Sequence, residues 1–118
     1  MIARSVIVRL VAAVSLASAA ANITAAQSGE PIRIGFGMAL TGSLAANGRS
    51  ALLAQQIWEE QTNAKGGLLG RPVKLVYYDD QTNPSMVPGI YTKLLDVDKV
   101  DLIIGGYGAY ALAAAMPP

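Results

Sequence analysis

No cysteine and no histidine occur anywhere in the 118 residues. The first absence excludes disulfides and thiolate zinc sites, and leaves the redox compartment open. The second removes the commonest metal ligand and general base. Charge is scarce as well. Nine basic and eight acidic side chains leave a net charge of +1, with no basic cluster of the kind that tracks a nucleic acid. At 53% hydrophobic and 14% charged, the chain is too apolar for disorder, and its length suits one domain.

What is present begins with a compartment signal. Arg4 and Arg9 precede an apolar, alanine-rich run over residues 10–21, and small residues continue to Ala26. This is the pattern of a secretory signal peptide over residues 1–26. Thr24 and Ala26 hold the small-residue spacing that a signal peptidase requires, with Ala19 and Ala21 as an earlier cut. A membrane anchor is disfavoured, because roughly 20 apolar residues are needed to span a bilayer and this run is shorter. The mature unit is then residues 27–118.

That unit is organised around residues 31–70. Ile32, Ile34 and Phe36 alternate with Arg33, Gly35 and Gly37, which predicts a strand over residues 32–37 with one apolar face and one almost bare face on which a helix can lie close. A small-residue loop follows over residues 38–48, then a helix over residues 50–64. Its inward stripe is read as Leu53, Ala54, Ile57 and Trp58, with Gln55, Gln56, Glu59 and Glu60 facing water. Gly66 and Gly67 end it with positive φ.

The pattern repeats twice. Residues 73–78 form a second strand with packing surface on both faces, as expected when helices cover both sides of a parallel sheet. Asp79 and Asp80 close it; consecutive on extended chain, they point to opposite sides and read as a polar strand end feeding a turn rather than as an acid and base pair. A helix over residues 86–96 follows, with Ser85 as its cap, Pro88 in its first turn and Ile90, Tyr91, Leu94 and Leu95 inward. Residues 100–104 make a third strand, Gly105, Gly106, Tyr107 and Gly108 a flexible turn, and residues 109–116 a last helix stopped by Pro117 and Pro118. Short connections between alternating strands and helices predict right-handed crossovers, an α/β fold with a parallel sheet and flanking helices. The order 2-1-3 leaves the apolar third strand at an edge that expects another strand.

Ligands of such sheets lie beyond the carboxyl ends of the strands, where crossover direction switches. Here those loops are residues 40–48 and 105–110. The glycines of the second bring backbone N–H groups close to a ligand, and the helix start after them suits a carboxylate; a simple tight turn explains them equally well. Tyr107 and Tyr110 offer an apolar wall and a hydroxyl, or else pack against the first helix. Gly35, Gly37 and Gly42 lack the spacing of a dinucleotide fingerprint. Thr41, Ser43 and Ser50 sit in no nucleophile elbow, so turn bonding and helix capping are their roles.

Three runs, IRIGFGMALTGSLAANG, NAKGGLLGRPVKLVYYDDQTNP and KLLDVDKVDLIIGGYG, resemble the first lobe of periplasmic substrate-binding proteins of ABC transporters, the branched-chain amino acid (Leu/Ile/Val) binding type with the type I periplasmic binding fold. The resemblance covers nearly all of the mature unit and implies a partial first lobe. It implies a protein that is not an enzyme, needs no cofactor, closes on a small solute such as an amino acid or similar carboxylate, and delivers it to an ABC permease in the membrane. It places the carboxylate grip at Gly106, Tyr107, Gly108, Ala109 and Tyr110, with alanine at Ala109 where the family's hydroxyl falls, and a further contact at Asn47. It also implies a much longer protein, so that the 118 residues read as an N-terminal fragment. A sensory domain of the same fold and a truncated product without independent function are the alternatives.

Overall fold

The computed structural model describes residues 28–116; the expected signal peptide over residues 1–26 and the closing prolines 117 and 118 lie outside the described residues. Strand β1 (Ile32–Met38) and strand β2 (Val73–Asp79) run parallel, in register from Ile32 opposite Val73 to Met38 opposite Asp79. Strand β3 (Leu102–Ile103) pairs parallel with the other side of β1, opposite Ile34 and Gly35. The sheet order is β2-β1-β3, as the crossover argument requires. β3 is shorter than the expected 100–104. The Val100 N–H is spent on the Leu94 carbonyl, and only the Asp101 N–H to Arg33 and the Ile104 N–H to Gly35 prolong the ladder.

Alternation along β1 sorts the two layers. Ile32, Ile34, Phe36 and Met38 join Val73 and Leu75 in a core beneath helix α1 (Ala45–Ala64), where the Phe36 and Tyr77 rings stack with centroids 5.5 Å apart. On the opposite face the missing side chains at Gly35 and Gly37 let helix α2 (Val87–Asp96) approach. A Cβ on Gly35 would lie 2.9 Å from Val100 Cγ2 and 3.1 Å from Leu94 Cδ2. Val87, Ile90, Tyr91 and Leu94 form this second core, joined by Ala111 of helix α3 (Ala109–Ala115).

Helix α1 departs from the sequence reading in two ways. It begins at Ala45 rather than near residue 50, so Asn47 and Gly48 belong to its first turns. Gly48 sits against the Ala39 carbonyl, with which any Cβ would collide. The helix is also turned by about one residue, roughly 100°, from the expected stripe. Leu53 and Trp58 stay 57% and 42% exposed and Ile57 is exposed too, whereas Gly48, Ala51, Leu52, Gln55 and Glu59 face inward.

The cause lies at the sheet edge. The outward N–H groups of β2 need acceptors, because an unpaired strand edge is a template for unwanted pairing. Glu59 Oε1 accepts from the Leu75 N–H (2.9 Å) and Asn63 Oδ1 from the Val73 N–H (2.7 Å), while Asn63 Nδ2 donates to the Val73 carbonyl (2.9 Å). Gln56 reaches the Tyr77 hydroxyl at 3.1 Å. Residues 56, 59 and 63 thus run along β2 and seal that edge. At the far edge Leu102, Ile103 and Ile104 remain exposed. An apolar hollow of about 410 Å³ opens beside them, lined by Ile34, Ala54, Gln55, Trp58, Leu75 and Ile104.

Two smaller expectations are corrected around α2. Asn83, not Ser85, is the capping side chain: its Oδ1 accepts from the Ser85 N–H and hydroxyl at the start of the 3-10 turn Pro84–Met86 that leads into α2. Leu95 is exposed, and Val87 takes its place in the inward stripe. Gly66 and Gly67 do carry positive φ, and their N–H groups close on the Asn63 and Thr62 carbonyls as a helix end requires.

Candidate functional site

Strand β1 hands over to α1 on one face and strand β3 to α3 on the other, so crossover direction reverses between β1 and β3. The loops that follow them meet there. Asn47 Nδ2 donates to the Tyr107 hydroxyl at 2.8 Å, joining the first turns of α1 to the glycine turn after β3. Two side chains singled out from sequence are therefore partners. Tyr107 also packs on the core beneath α1, as the packing alternative had it.

The glycine turn is shaped by close approach. A Cβ on Gly106 would stand 2.6 Å from the Gly37 carbonyl oxygen, so the turn lies directly against the end of β1. Gly108 adopts φ 101°, which side-chain-bearing residues rarely take, and a Cβ there would press on the Tyr110 ring at 2.9 Å. From this turn the N–H groups of residues 107–110 find no acceptor among the described residues, whereas Ala111 and Leu112 bond back to Gly108. Ala109 opens α3 without a hydroxyl to offer.

Tyr110 goes elsewhere. Its hydroxyl donates to Asp80 Oδ1 at 2.7 Å, on the face covered by α2 rather than against α1. Burial, and then this hydrogen bond, raise its phenol above the ordinary value, so it serves as a donor. Asp80 is fully buried. Oδ1 also accepts from the Thr82 N–H at 2.9 Å, and Oδ2 finds no donor among the described residues.

Asp79 points the other way, as consecutive residues of a strand must. Its Oδ1 accepts from the N–H groups of Leu40 (3.0 Å), Thr41 (3.2 Å) and Gln81 (2.8 Å), and its Oδ2 from the Thr41 hydroxyl (2.6 Å). Desolvation alone would raise this carboxyl, but the Thr41 hydroxyl and the N–H groups of Gln81, Leu40 and Thr41 outweigh it and hold the pKa below the usual value. Thr41 thus does turn bonding. Ser50 is no cap; its hydroxyl bonds back to the Ala46 carbonyl inside α1. Arg49 Nε donates to the Leu40 carbonyl at 2.9 Å and fixes the loop from the helix side.

The sequence reading saw in Asp79 and Asp80 a polar strand end and missed that they hold both loops. Adjacency was the available signal; what each carboxyl meets depends on loops brought in from residues 40 and 110. Asn47, Gly106, Tyr107, Gly108 and Ala109 are brought together, while the Tyr110 hydroxyl is turned behind them.

An open parallel sheet covered on both faces, with two loops converging at its crossover switch, defines an α/β unit of the kind whose ligands lie beyond the strand ends. The chain belongs to the periplasmic binding protein family, whose pattern matches residues 31–117. It is 35% identical over 78 residues to the Leu/Ile/Val-binding protein homolog 2 of Brucella abortus, which covers 66% of this chain and 21% of that protein. Among solved structures it is similar to the branched-chain amino acid transporter substrate binding protein LivJ from Streptococcus pneumoniae in complex with isoleucine. The TM-score is 0.69 at 32% identity, covering 72% of this chain and 24% of that one. It is likewise similar to a periplasmic binding protein type 1 from Bordetella pertussis, with TM-score 0.65 and 34% identity over 71% of this chain and 23% of that one. The chain therefore spans less than a quarter of the length of these relatives.

Proposed function

We propose that these residues form part of the first lobe of an extracytoplasmic solute-binding component of an ABC uptake transporter, taking amino acids or related small carboxylates. One observation carries the reading. At the crossover switch, the N–H groups of residues 107–110 are without acceptors among the described residues, beside the Asn47 to Tyr107 bond that closes the two loops on each other. Backbone donors held in a rigid turn bind a carboxylate without needing a charged side chain. Isoleucine, named in the LivJ complex, carries that group.

In this reading Tyr107, Gly108, Ala109 and Tyr110 supply the donors from their backbone, Gly106 seats the turn against the end of β1, and Asn47 with Tyr107 forms the neighbouring wall. Ala109 offers no hydroxyl, so the backbone bears the contact by itself. The partner is an ABC permease in the membrane, and the leader over residues 1–26 sends the product to the periplasm. Mass spectrometry of the exported product is expected to find Gln27 at its N-terminus.

The binding test uses the complete polypeptide of the reading frame, followed to its stop codon. Calorimetric titration with leucine, isoleucine, valine and the matching amino acid amides is expected to show binding of acids and not of amides. Gly108→Val is expected to abolish it, since valine cannot take φ 101° without moving the donors. Equal binding of acids and amides, or a Gly108→Val variant of unchanged affinity, would falsify the assignment.

A further inference from the structure

We propose that Asp79 and Asp80 are the positioning residues of this site. Side by side at the end of β2, Asp79 holds the loop after β1, and Asp80 holds the first turn of α3 through Tyr110. The inference rests on the solute-binding reading above, and the hydrogen bonds that carry it run from both carboxyl groups to the chain's own loops.

Geometry makes the pair suited to this. Because alternate residues of a strand project to opposite sides, one dipeptide reaches the loops on both faces of the sheet without any intervening helix. Asp79 takes the N–H groups of Leu40 and Thr41 together with the Thr41 hydroxyl, so three donors of the β1 loop converge on one carboxyl group. Asp80 takes the Tyr110 hydroxyl at 2.7 Å from a fully buried position, and its own N–H donates to the Met38 carbonyl at 3.0 Å. Its placement is therefore tied to β1 as well as to β2.

The turn beyond the pair is strained in a way that fits this role. Gln81 and Thr82 both take left-handed backbone, φ 56° and 57°, which residues with side chains adopt reluctantly. Each is held there by a carboxyl group two residues back, Gln81 N–H by Asp79 and Thr82 N–H by Asp80. The strained turn then delivers Thr82 Oγ1 to the first loop, where it donates to the Thr41 carbonyl at 2.8 Å and accepts from the Leu44 N–H at 3.3 Å. Asp79, Asp80 and Thr82 together form a bracket across the carboxyl end of the sheet, and the Asn47 to Tyr107 bond closes the opposite side.

The experiment compares Asp79→Ala, Asp79→Asn, Asp80→Leu, Asp80→Asn and Tyr110→Phe in the complete polypeptide, by amide hydrogen exchange without ligand and by titration with L-isoleucine. Asp79→Ala is expected to speed exchange at Leu40, Thr41 and Leu44 and Tyr110→Phe at Ala111 and Leu112, whose N–H groups are hydrogen-bonded, with the ladder of β1 and β2 unchanged. Asparagine at either position keeps an acceptor oxygen and is expected to restore slow exchange, whereas Asp80→Leu cannot. Isoleucine affinity is expected to fall about three- to tenfold in Tyr110→Phe, the scale of one lost hydrogen bond, and at least as far in Asp79→Ala, which loses four. Tyr110→Phe removes a single hydroxyl and keeps the test decisive where Asp80→Leu does not fold. Loop exchange that stays unchanged in Asp79→Ala and Tyr110→Phe overturns the proposal, as does exchange that rises evenly across the whole sheet. The solute reading fails on the wild-type titration alone, so the two failures are told apart.

Discussion

Asn47 and Tyr107, sixty residues apart in sequence, share a hydrogen bond of 2.8 Å that locks the first turns of α1 to the turn after β3. Tyr107→Phe removes that bond and leaves the ring in the core. The expected cost is about 1 kcal/mol in urea unfolding, and a double-mutant cycle with Asn47→Ala is expected to show coupling of about 0.5 to 1.5 kcal/mol. Additive single effects would mean that the bond does not hold in solution.

Asn63 and Ile57 lie on the same helix and trade the roles their hydropathy suggests. Asn63→Leu deletes two hydrogen bonds to Val73 and unseals the β2 edge, so a loss of about 2 to 3 kcal/mol is expected. Ile57→Ser touches an exposed apolar side chain and is expected to change stability by no more than about 0.5 kcal/mol. Chemical denaturation of the two variants side by side checks the order; the reverse ranking would restore the stripe read from sequence.

Gly48→Ala provides a sign test. In an exposed helix interior the change stabilises by about 1 kcal/mol. Here the added methyl group collides with the Ala39 carbonyl, and the expected result is a loss of about 2 kcal/mol or more, measured as a lower thermal midpoint.

The pH dependence follows from Asp79. Its pKa in the folded protein is lowered, so the stability it contributes is whole above the unfolded value of about 3.9. That contribution drains as pH falls from there through the lower folded value. Unfolding curves between pH 5 and pH 2 are expected to show wild type losing more stability than Asp79→Asn across that window. Parallel curves would show that the hydrogen bonds to Asp79 do not favour its charged form.

The open edge at β3 makes a prediction about association. Leu102, at 53% exposure, lies with Ile103 and Ile104 on a strand flank that no described residue covers. In the 118-residue chain, Ile103→Lys is expected to reduce concentration-dependent self-association in sedimentation velocity, because a charge on an edge strand opposes further pairing.

What the sequence by itself determined is what local periodicity can encode. Alternation in residues 32–37 sorted β1 into an apolar face and a glycine face, and α2 does lie against the glycines. Alternating strands and helices with short connections left little freedom in strand order, and β2-β1-β3 followed. The family resemblance was legible in the same way, in runs of contiguous residues. Tertiary structure alone decided which side of α1 is wet, what Asp79 and Asp80 hold, and where the Tyr107 and Tyr110 hydroxyls go. The physical reason is that a helical period tells which residues share a face, not which face is needed. The unpaired N–H groups of β2 take their acceptors from the side of α1 that carries Glu59 and Asn63, and Leu53, Ile57 and Trp58 are left more exposed.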